Sequence, residues 1–368
     1  MDPARSGFNP YEDVLTVGNV STLSQAWAVP TSTGYGVGAP VTYGTGVYIS
    51  TGRNAWAFEA ATGARRWVTP EGYVFLSSDL AVAADGIYGQ GPNFINPLGP
   101  SHNSIVKLSP ADGSVIWDVD TGSAGEVLVA PVVSGNTVYF GGWNAFTTNG
   151  GAVASGTSLL GNGTTAIGGG HVYSGVDVFD GAFAAGCSGT PKVCSPLWSY
   201  APSSSSTTGP VYTSGAVFMG TFDGMVEAFD PNGCATSPCA PLWTDVAAGS
   251  ITGSPAVANG VVYVGSSNGT LYAFDAAGCG SSTCSPLWTV STGGAIKAQP
   301  SVAKGVVFFG SDDGKVYAVN GAGCGSSTCA PLWSSAAGAP VETQAAVAHG
   351  SVYVSRTDGS LTAYRVSG

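Results

Sequence analysis

Three histidines, eight cysteines and a thin set of carboxylates are the groups in this 368-residue chain best able to do chemistry. Nucleophilic catalysis needs a base beside a Ser or Cys, and the only imidazoles are His102, His171 and His349. His171 and His349 fall at or beside the Gly turn of a repeated hairpin, where sister copies carry Val261 or Asn259, so both read as turn residues. His102 lies in the irregular segment GPNFINPLGPSHNS and is the least constrained of the three. Among the carboxylates, Asp180, Asp230 and Asp275 recur at one repeat position that Asn320 shares, which suits a structural turn acceptor. Asp312 and Asp313 sit together in a hairpin turn. No EF-hand spacing or Walker loop occurs. No catalytic residue and no metal ligand is assigned, and the chain leans away from being an enzyme. Binding is expected where the repeat breaks, at residues 89–104 and 141–163, because loops that depart from a rigid scaffold carry most recognition. Trp143, Asn144 and Phe146 lie in the second stretch, and Trp56 is the other Trp outside the regular positions. An aromatic beside Asn and Gly suits a sugar or a flat organic ring, so Trp143, Asn144, Phe146, Trp56 and His102 are the candidate ligand-binding residues. The alternative is that the two Trp residues simply pack on neighbouring sheets.

The elements that would position these residues come from a repeat. One phrase occurs eight times: a short β-prone stretch, a Gly-containing turn, then a Val-aromatic pair, as in SPAVANGVVYVG and QPSVAKGVVFFG. Its aromatic residues are Tyr48, Tyr88, Tyr139, Tyr173, Phe218, Tyr263, Phe308 and Tyr353, and the last four intervals are each 45 residues. Alternating β-branched and small residues around Gly write a hairpin of two half-buried strands. An Asn-Gly or Asp-Gly turn follows, at Asn268-Gly269, Asp313-Gly314 and Asp358-Gly359, then a third strand, then a fourth headed by Trp. Four short antiparallel strands per period form a β-propeller blade, since one small sheet cannot bury both faces until neighbours stack on it. Trp27, Trp67, Trp117, Trp198, Trp243, Trp288 and Trp333 head seven fourth strands, and the long gap between Trp117 and Trp198 implies a degenerate third blade over residues 127–161. The expected fold is all-β, an eight-bladed propeller of four-stranded antiparallel blades. The alternative is seven blades with a long insertion. The last hairpin lacks a fourth strand, which the stretch at Trp27 can supply, closing the ring with both chain ends and removing exposed sheet edges. Residues 1–19 then form an N-terminal extension and residues 20–368 a single domain.

The cysteines fall in four pairs, Cys187 with Cys194, Cys234 with Cys239, Cys279 with Cys284, and Cys324 with Cys329, each spanning the loop between a blade's third and fourth strands. Disulfides are expected, because those strand ends are already close; zinc would require two pairs to converge, and free thiols are the remaining option. Paired Cys implies an oxidising compartment. No signal peptide opens the sequence, so Met1 is expected to stand where one has been removed, and the protein to be secreted or displayed at the cell surface.

Charge excludes some partners. Lys plus Arg number 11 against 22 Asp plus Glu, with no basic run, so nothing would release counter-ions from a nucleic acid. No apolar stretch is long enough to span a bilayer as a helix. What remains is a turn-rich chain with 56 Gly and a weakly charged surface, suited to a protein or glycan surface or to self-association.

The segments AFEAATGARRW (57–67) and KLSPADGSVIW (107–117) resemble the tryptophan-docking motif of quinoprotein propellers, and DPARSGFNPYE followed by NVSTLSQAW resembles the entry to secreted bacterial PQQ-binding-like propeller repeat proteins. The resemblance covers nearly the whole chain. It implies that the seven Trp residues pack between blades. Enzymes of that family use pyrroloquinoline quinone (PQQ) with Ca²⁺ to oxidise alcohols or sugars, beneath a disulfide between adjacent Cys residues. Here no two Cys are adjacent and no haem-attachment motif occurs. Other members are non-catalytic scaffolds. The expectation is therefore a non-catalytic extracytoplasmic binding or assembly scaffold without a cofactor, the alternative being a PQQ-dependent oxidoreductase or a degenerate PQQ binder.

Overall fold

The computed structural model describes residues 6–31, 37–52, 54–69, 79–92, 103–120, 130–140, 144–156, 164–281 and 283–367. Its strands form eight sheets set in a ring, each contributing one blade. Blade six shows the pattern. Ala256–Ala258 lies nearest the axis, Val261–Gly265 and Thr270–Asp275 follow outward, and Trp288–Ser291 is outermost of the four. The hairpin between the first two strands turns on Asn259 and Gly260, both at positive φ, as do Lys304-Gly305 and His349-Gly350 in blades seven and eight. Two successive left-handed residues match the twist of the strands they join. Along Val261–Gly265 the side chains alternate: Val262 and Val264 are buried against blade five, and Tyr263 against blade seven. Both faces of the sheet are thus covered, which is why the repeat reads as nearly continuous apolar phrases.

The recurring Tyr also explains itself. Its ring fills the space between blades, and in blades four, six and eight its hydroxyl, which burial would leave without a partner, donates to a turn of the next blade, whereas Tyr88 donates to Asp85 of its own blade. Tyr173 reaches Pro231 O at 2.9 Å, Tyr263 reaches Gly321 O at 3.0 Å, and Tyr353 crosses from blade eight to Ala60 O of blade one at 3.3 Å.

From its own outer strand, the indole of several Trp residues reaches into the following blade. The indole N–H of Trp27, Trp67 and Trp117 donates to Ala60 O, Pro110 O and Thr148 O of the following blade, and that of Trp333 to Leu23 O. The ring is roofed by a glycine at positive φ: a Cβ on Gly63 would lie 2.7 Å from Trp27, and one on Gly278 2.6 Å from Trp243. Trp198 and Trp288 meet Gly233 and Gly323 the same way.

Blade three, Val132–Ser134 through Ala152–Gly156, has Ala154 at the register position that Trp holds elsewhere. The next blade compensates. Its loop folds into a hairpin, Cys187–Ser188 with Lys192–Cys194, that adds two strands to the outer edge of blade three. Phe183, Cys187 and Cys194 pack there against Tyr139.

All four expected disulfides are formed. Their loops do more than close their own hairpins. Each reaches back and pairs in parallel with the outer strand of the preceding blade: Lys192–Cys194 on Ala154–Gly156, Cys239 on Tyr200, Thr283–Cys284 on Thr244–Asp245, and Thr328 on Thr289. Blades three to six therefore have their outer backbone edges covered by the chain itself.

The ring closes as the sequence implies. Leu23–Pro30 pairs antiparallel with Ser360–Val366 as the outer strand of blade eight. Ahead of it, Phe8–Asn9 adds a parallel strand to the innermost strand of blade seven. Among the described residues no helix is long and apolar enough to cross a membrane.

Two outcomes are expected. Gly278→Ala should destabilise the fold by about 2 kcal/mol, since a left-handed Ala is strained and its methyl meets Trp243; an unchanged melting temperature would refute the packing argument. Replacing Cys279 and Cys284 together by Ser should cost about 2 kcal/mol of loop constraint, with faster hydrogen exchange at the Thr244–Asp245 edge that this loop covers.

Candidate functional site

The N-terminal segment, which lies outside the repeat, runs beside the axis. Ser6 O accepts the N–H of Val257 at 2.7 Å, Gly7 O accepts that of Val302 at 2.8 Å, and the Asn9 side-chain amide donates to Val347 O at 2.7 Å. These three positions are 45 residues apart, so the segment steps across blades six, seven and eight at one repeat position. Gly7 has φ +70°, and a Cβ there would lie 2.8 Å from Pro300 O, so the strand passes the blades at glycine distance. The buried Glu12 carboxylate accepts the N–H groups of Val14, Leu15 and Gly350, tying the segment to the blade-eight hairpin.

Beside this strand a cavity of about 510 Å³ opens between blades seven, eight and one. Phe8, Pro10, Tyr11, Tyr43, Val347 and His349 are among its lining residues. Tyr11 is 89% exposed and Tyr43 43%. The backbone completes the site. Val302 presents its N–H to the axis because the pair Val302–Val307 is a non-bonded pair of its hairpin. Val347–Val352 and Thr42–Val47 occupy the same register, so their first residues also direct N–H groups toward the axis. A short inner edge of sheet faces an apolar, aromatic-lined space, a combination that accepts an extended peptide.

Of the candidate ligand-binding residues read from the sequence, Asn144, Phe146 and Trp56 lie away from this cavity. Trp143 and His102 lie outside the described residues. Phe146, on Asn144–Thr147, is only 7% exposed and packs edge-on against Phe140 in the interface between blades two and three. Asn144 is half-buried on the same strand. Trp56 is half-buried, stacked on Phe58, with Nε1 donating to Thr51 Oγ1 and the Arg65 guanidinium 6.0 Å from its ring. Strand register turns Phe146 inward, and among the described residues Asn144 and Phe146 in blade three and Trp56 in blade one do not share a site. His171 packs edge-on against Trp198, and His349 lies in its left-handed turn at the axial cavity. The carboxylates Asp180, Asp230 and Asp275 each accept the N–H two residues on, as does Asn320, which makes them turn residues. Lys297 bridges Asp312 and Glu342 at the surface.

Tyr11 and Tyr43 were not legible as site residues. The segment FNPY carried a faint signal, apolar and aromatic residues ahead of the first blade with no repeat position to occupy.

Among the carboxylates buried within the blades, Glu227 and Asp245 stand out. Glu227 is wholly buried, with Oε1 accepting the Ser203 N–H at 2.9 Å and Oε2 without a partner among the described residues. Asp245 is likewise buried and accepts the Cys284 N–H of the neighbouring loop. Burial pushes both above their ordinary carboxylate values.

The family model described as outer membrane protein assembly factor BamB matches residues 11–149, 197–279 and 281–367. Among solved structures, the chain is similar to the computationally designed Ika8 protein at 16% identity, over 93% of this chain and 100% of that one, with TM-score 0.68. It is also similar to the quinohemoprotein alcohol dehydrogenase from Comamonas testosteroni, at 13% identity over 100% of this chain and 80% of that one, with TM-score 0.68. A europium-containing methanol dehydrogenase matches at 12% identity over 100% and 97% of the two chains, with TM-score 0.69. At these identities the likeness is one of fold. No curated protein sequence matches the chain.

The quinoprotein likeness poses a fit test. PQQ carries three carboxylates, which call for cations, and its Ca²⁺ calls for carboxylate oxygens. The axial cavity is lined by neither Lys nor Arg, and by neither Asp nor Glu. Its described residues do not fit the quinone and its metal.

Glu227 supplies the pH prediction. Its folded-state pKa is raised, so its contribution is complete below the ordinary glutamate value of 4.5 and is lost as pH rises through the raised value. Glu227→Gln keeps the bond from Ser203 and removes the charge. The variant should be more stable than wild type at pH 8, with the gap closing toward pH 4; equal denaturation midpoints at both pH values would contradict the assignment.

Proposed function

The chain belongs to the family of the outer membrane protein assembly factor BamB, and from that premise we propose that it is a non-catalytic propeller that works outside the cytoplasm by binding an extended segment of another protein. The observation that carries this reading is the N-terminal strand itself. It is an extended peptide seated on the inner edge of blade seven, and the next inner edges, at Val347 and Thr42, face a cavity large enough for several more residues. Backbone hydrogen bonds along such an edge give affinity without regard to sequence, and Tyr11, Tyr43 and Phe8 supply apolar contacts for alternate side chains. Four disulfides support the oxidising compartment. For the alternative, a PQQ-dependent oxidoreductase, the described lining of this cavity offers neither a cationic side chain for the quinone carboxylates nor a carboxylate for Ca²⁺.

The test is a selection of displayed random heptapeptides on the immobilised chain, followed by binding measurements on the enriched sequences. Thr42→Pro removes one axis-facing N–H, a change that an edge strand tolerates, and Tyr43→Ser removes an aromatic wall. Each should weaken the selected peptides by roughly tenfold. Failure to enrich any peptide sensitive to these changes, or saturable PQQ binding with Ca²⁺ coupled to alcohol-dependent dye reduction, would overturn the reading.

A further inference from the structure

The most informative break in the repeat is a single residue. The turn between second and third strands begins with Thr221, Ser266 and Ser311 in blades five to seven, spaced by 45, and with Arg356 in blade eight. Ser266 Oγ donates to Ala248 O at 2.9 Å and Ser311 Oγ to Gly294 O at 3.0 Å. Arg356 performs the matching task, with Nη1 donating to Ala339 O at 2.8 Å. It also donates from Nη1 to Gly314 O at 2.6 Å and from Nη2 to the Tyr364 hydroxyl at 2.9 Å.

A guanidinium has five N–H groups, and three are accounted for. Nε–H and one hydrogen of Nη2 have no acceptor among the described residues, and no carboxylate forms an ion pair with them. The Nε/Nη2 edge is the one that grips a carboxylate through two parallel hydrogen bonds. Arg356 is 7% exposed and lines a cavity of about 450 Å³ in the cleft between blades seven and eight. All of its hydrogen bonds go to neutral oxygens, and Asp358 nearby acts on it through its field alone, so the Nε/Nη2 edge stays open to an incoming anion.

The rest of the lining narrows the ligand. Gln25, Ser335, Asp358, Ser360 and Trp333 share the cavity. Asp358 Oδ1 already accepts the Ser360 N–H at 2.9 Å and its hydroxyl at 2.7 Å. A second carboxylate in the same space disfavours a phosphate dianion, yet it is an acceptor for hydroxyl groups, as Gln25 and the serines are for donors and acceptors alike. We propose that this cleft binds a uronate, an acidic sugar whose carboxylate sits on Arg356 and whose ring hydroxyls meet Gln25, Ser360 and Asp358. An acidic peptide would satisfy the guanidinium but bring fewer hydroxyl groups than a sugar ring to the acceptors Gln25 and Asp358.

The experiment is calorimetry and Trp fluorescence on the full chain with D-glucuronate, D-glucose and an N-acetylated, amidated aspartate. Glucuronate should bind saturably, and the other two about tenfold more weakly or not at all. Arg356→Ser installs the residue that blades six and seven carry, so the fold has a precedent for it, and should weaken glucuronate by about tenfold or more. Arg356→Lys, which keeps a charge without the planar fork, should behave similarly. Absence of saturable glucuronate binding, binding unaffected by both variants, or an aspartate derivative bound as tightly as glucuronate would each overturn the proposal.

Discussion

Every blade here is a four-stranded sheet with two apolar faces, and no such sheet can cover both faces by itself. Val262 and Val264 need blade five while Tyr263 needs blade seven, so the burial that stabilises one blade is supplied entirely by its neighbours. In an open row the two terminal blades would each leave a face wet. The pairing of Leu23–Pro30 with Ser360–Val366 abolishes those ends by building one blade from both parts of the chain. Indole N–H groups from blades eight, one, two and seven and Tyr hydroxyls from blades four, six and eight then bond to the following blade, and positive-φ glycines such as Gly63 and Gly278 let the Trp rings lie close.

The same logic accounts for the disulfides. A blade's outer strand keeps one row of backbone groups unpaired, and a ring of such edges invites pairing with other chains. In blades three to six a disulfide-bound loop from the next blade lies along that row. Where blade three lacks its Trp, that loop enlarges and brings a cystine and Phe183 into the interface. The bridges hold a loop in the shape needed to cover a neighbour, a role distinct from reinforcing the hairpin that contains them.

Against this regular background the two places that invite a ligand are departures. One is at the axis, where a strand from outside the repeat occupies part of the channel and leaves sheet edge exposed beside it. The other is a guanidinium standing where sister blades have a hydroxyl. Neither lies in the stretches 89–104 and 141–163 where the sequence repeat breaks.

How much of this was legible follows from the range of the interactions. Blade number, ring closure by the stretch at Trp27, the hairpin turns and the cysteine pairs were all readable, because each is written in local spacing repeated several times. That Phe146 faces the core depends on strand register, which a degenerate blade does not reveal. Arg356 was visible as a break in the 45-residue pattern, but its significance was not, since its acceptors at Gly314 and Ala339 and its cavity belong to two blades. Likewise nothing in SGFNPY says that it will run beside the axis. The sequence alone determined a closed ring of repeated sheets, because periodicity and burial leave few other solutions. Only the tertiary structure decided which edges remain open and which charges remain unpaired, because those depend on what the remainder of the ring brings to the same point in space.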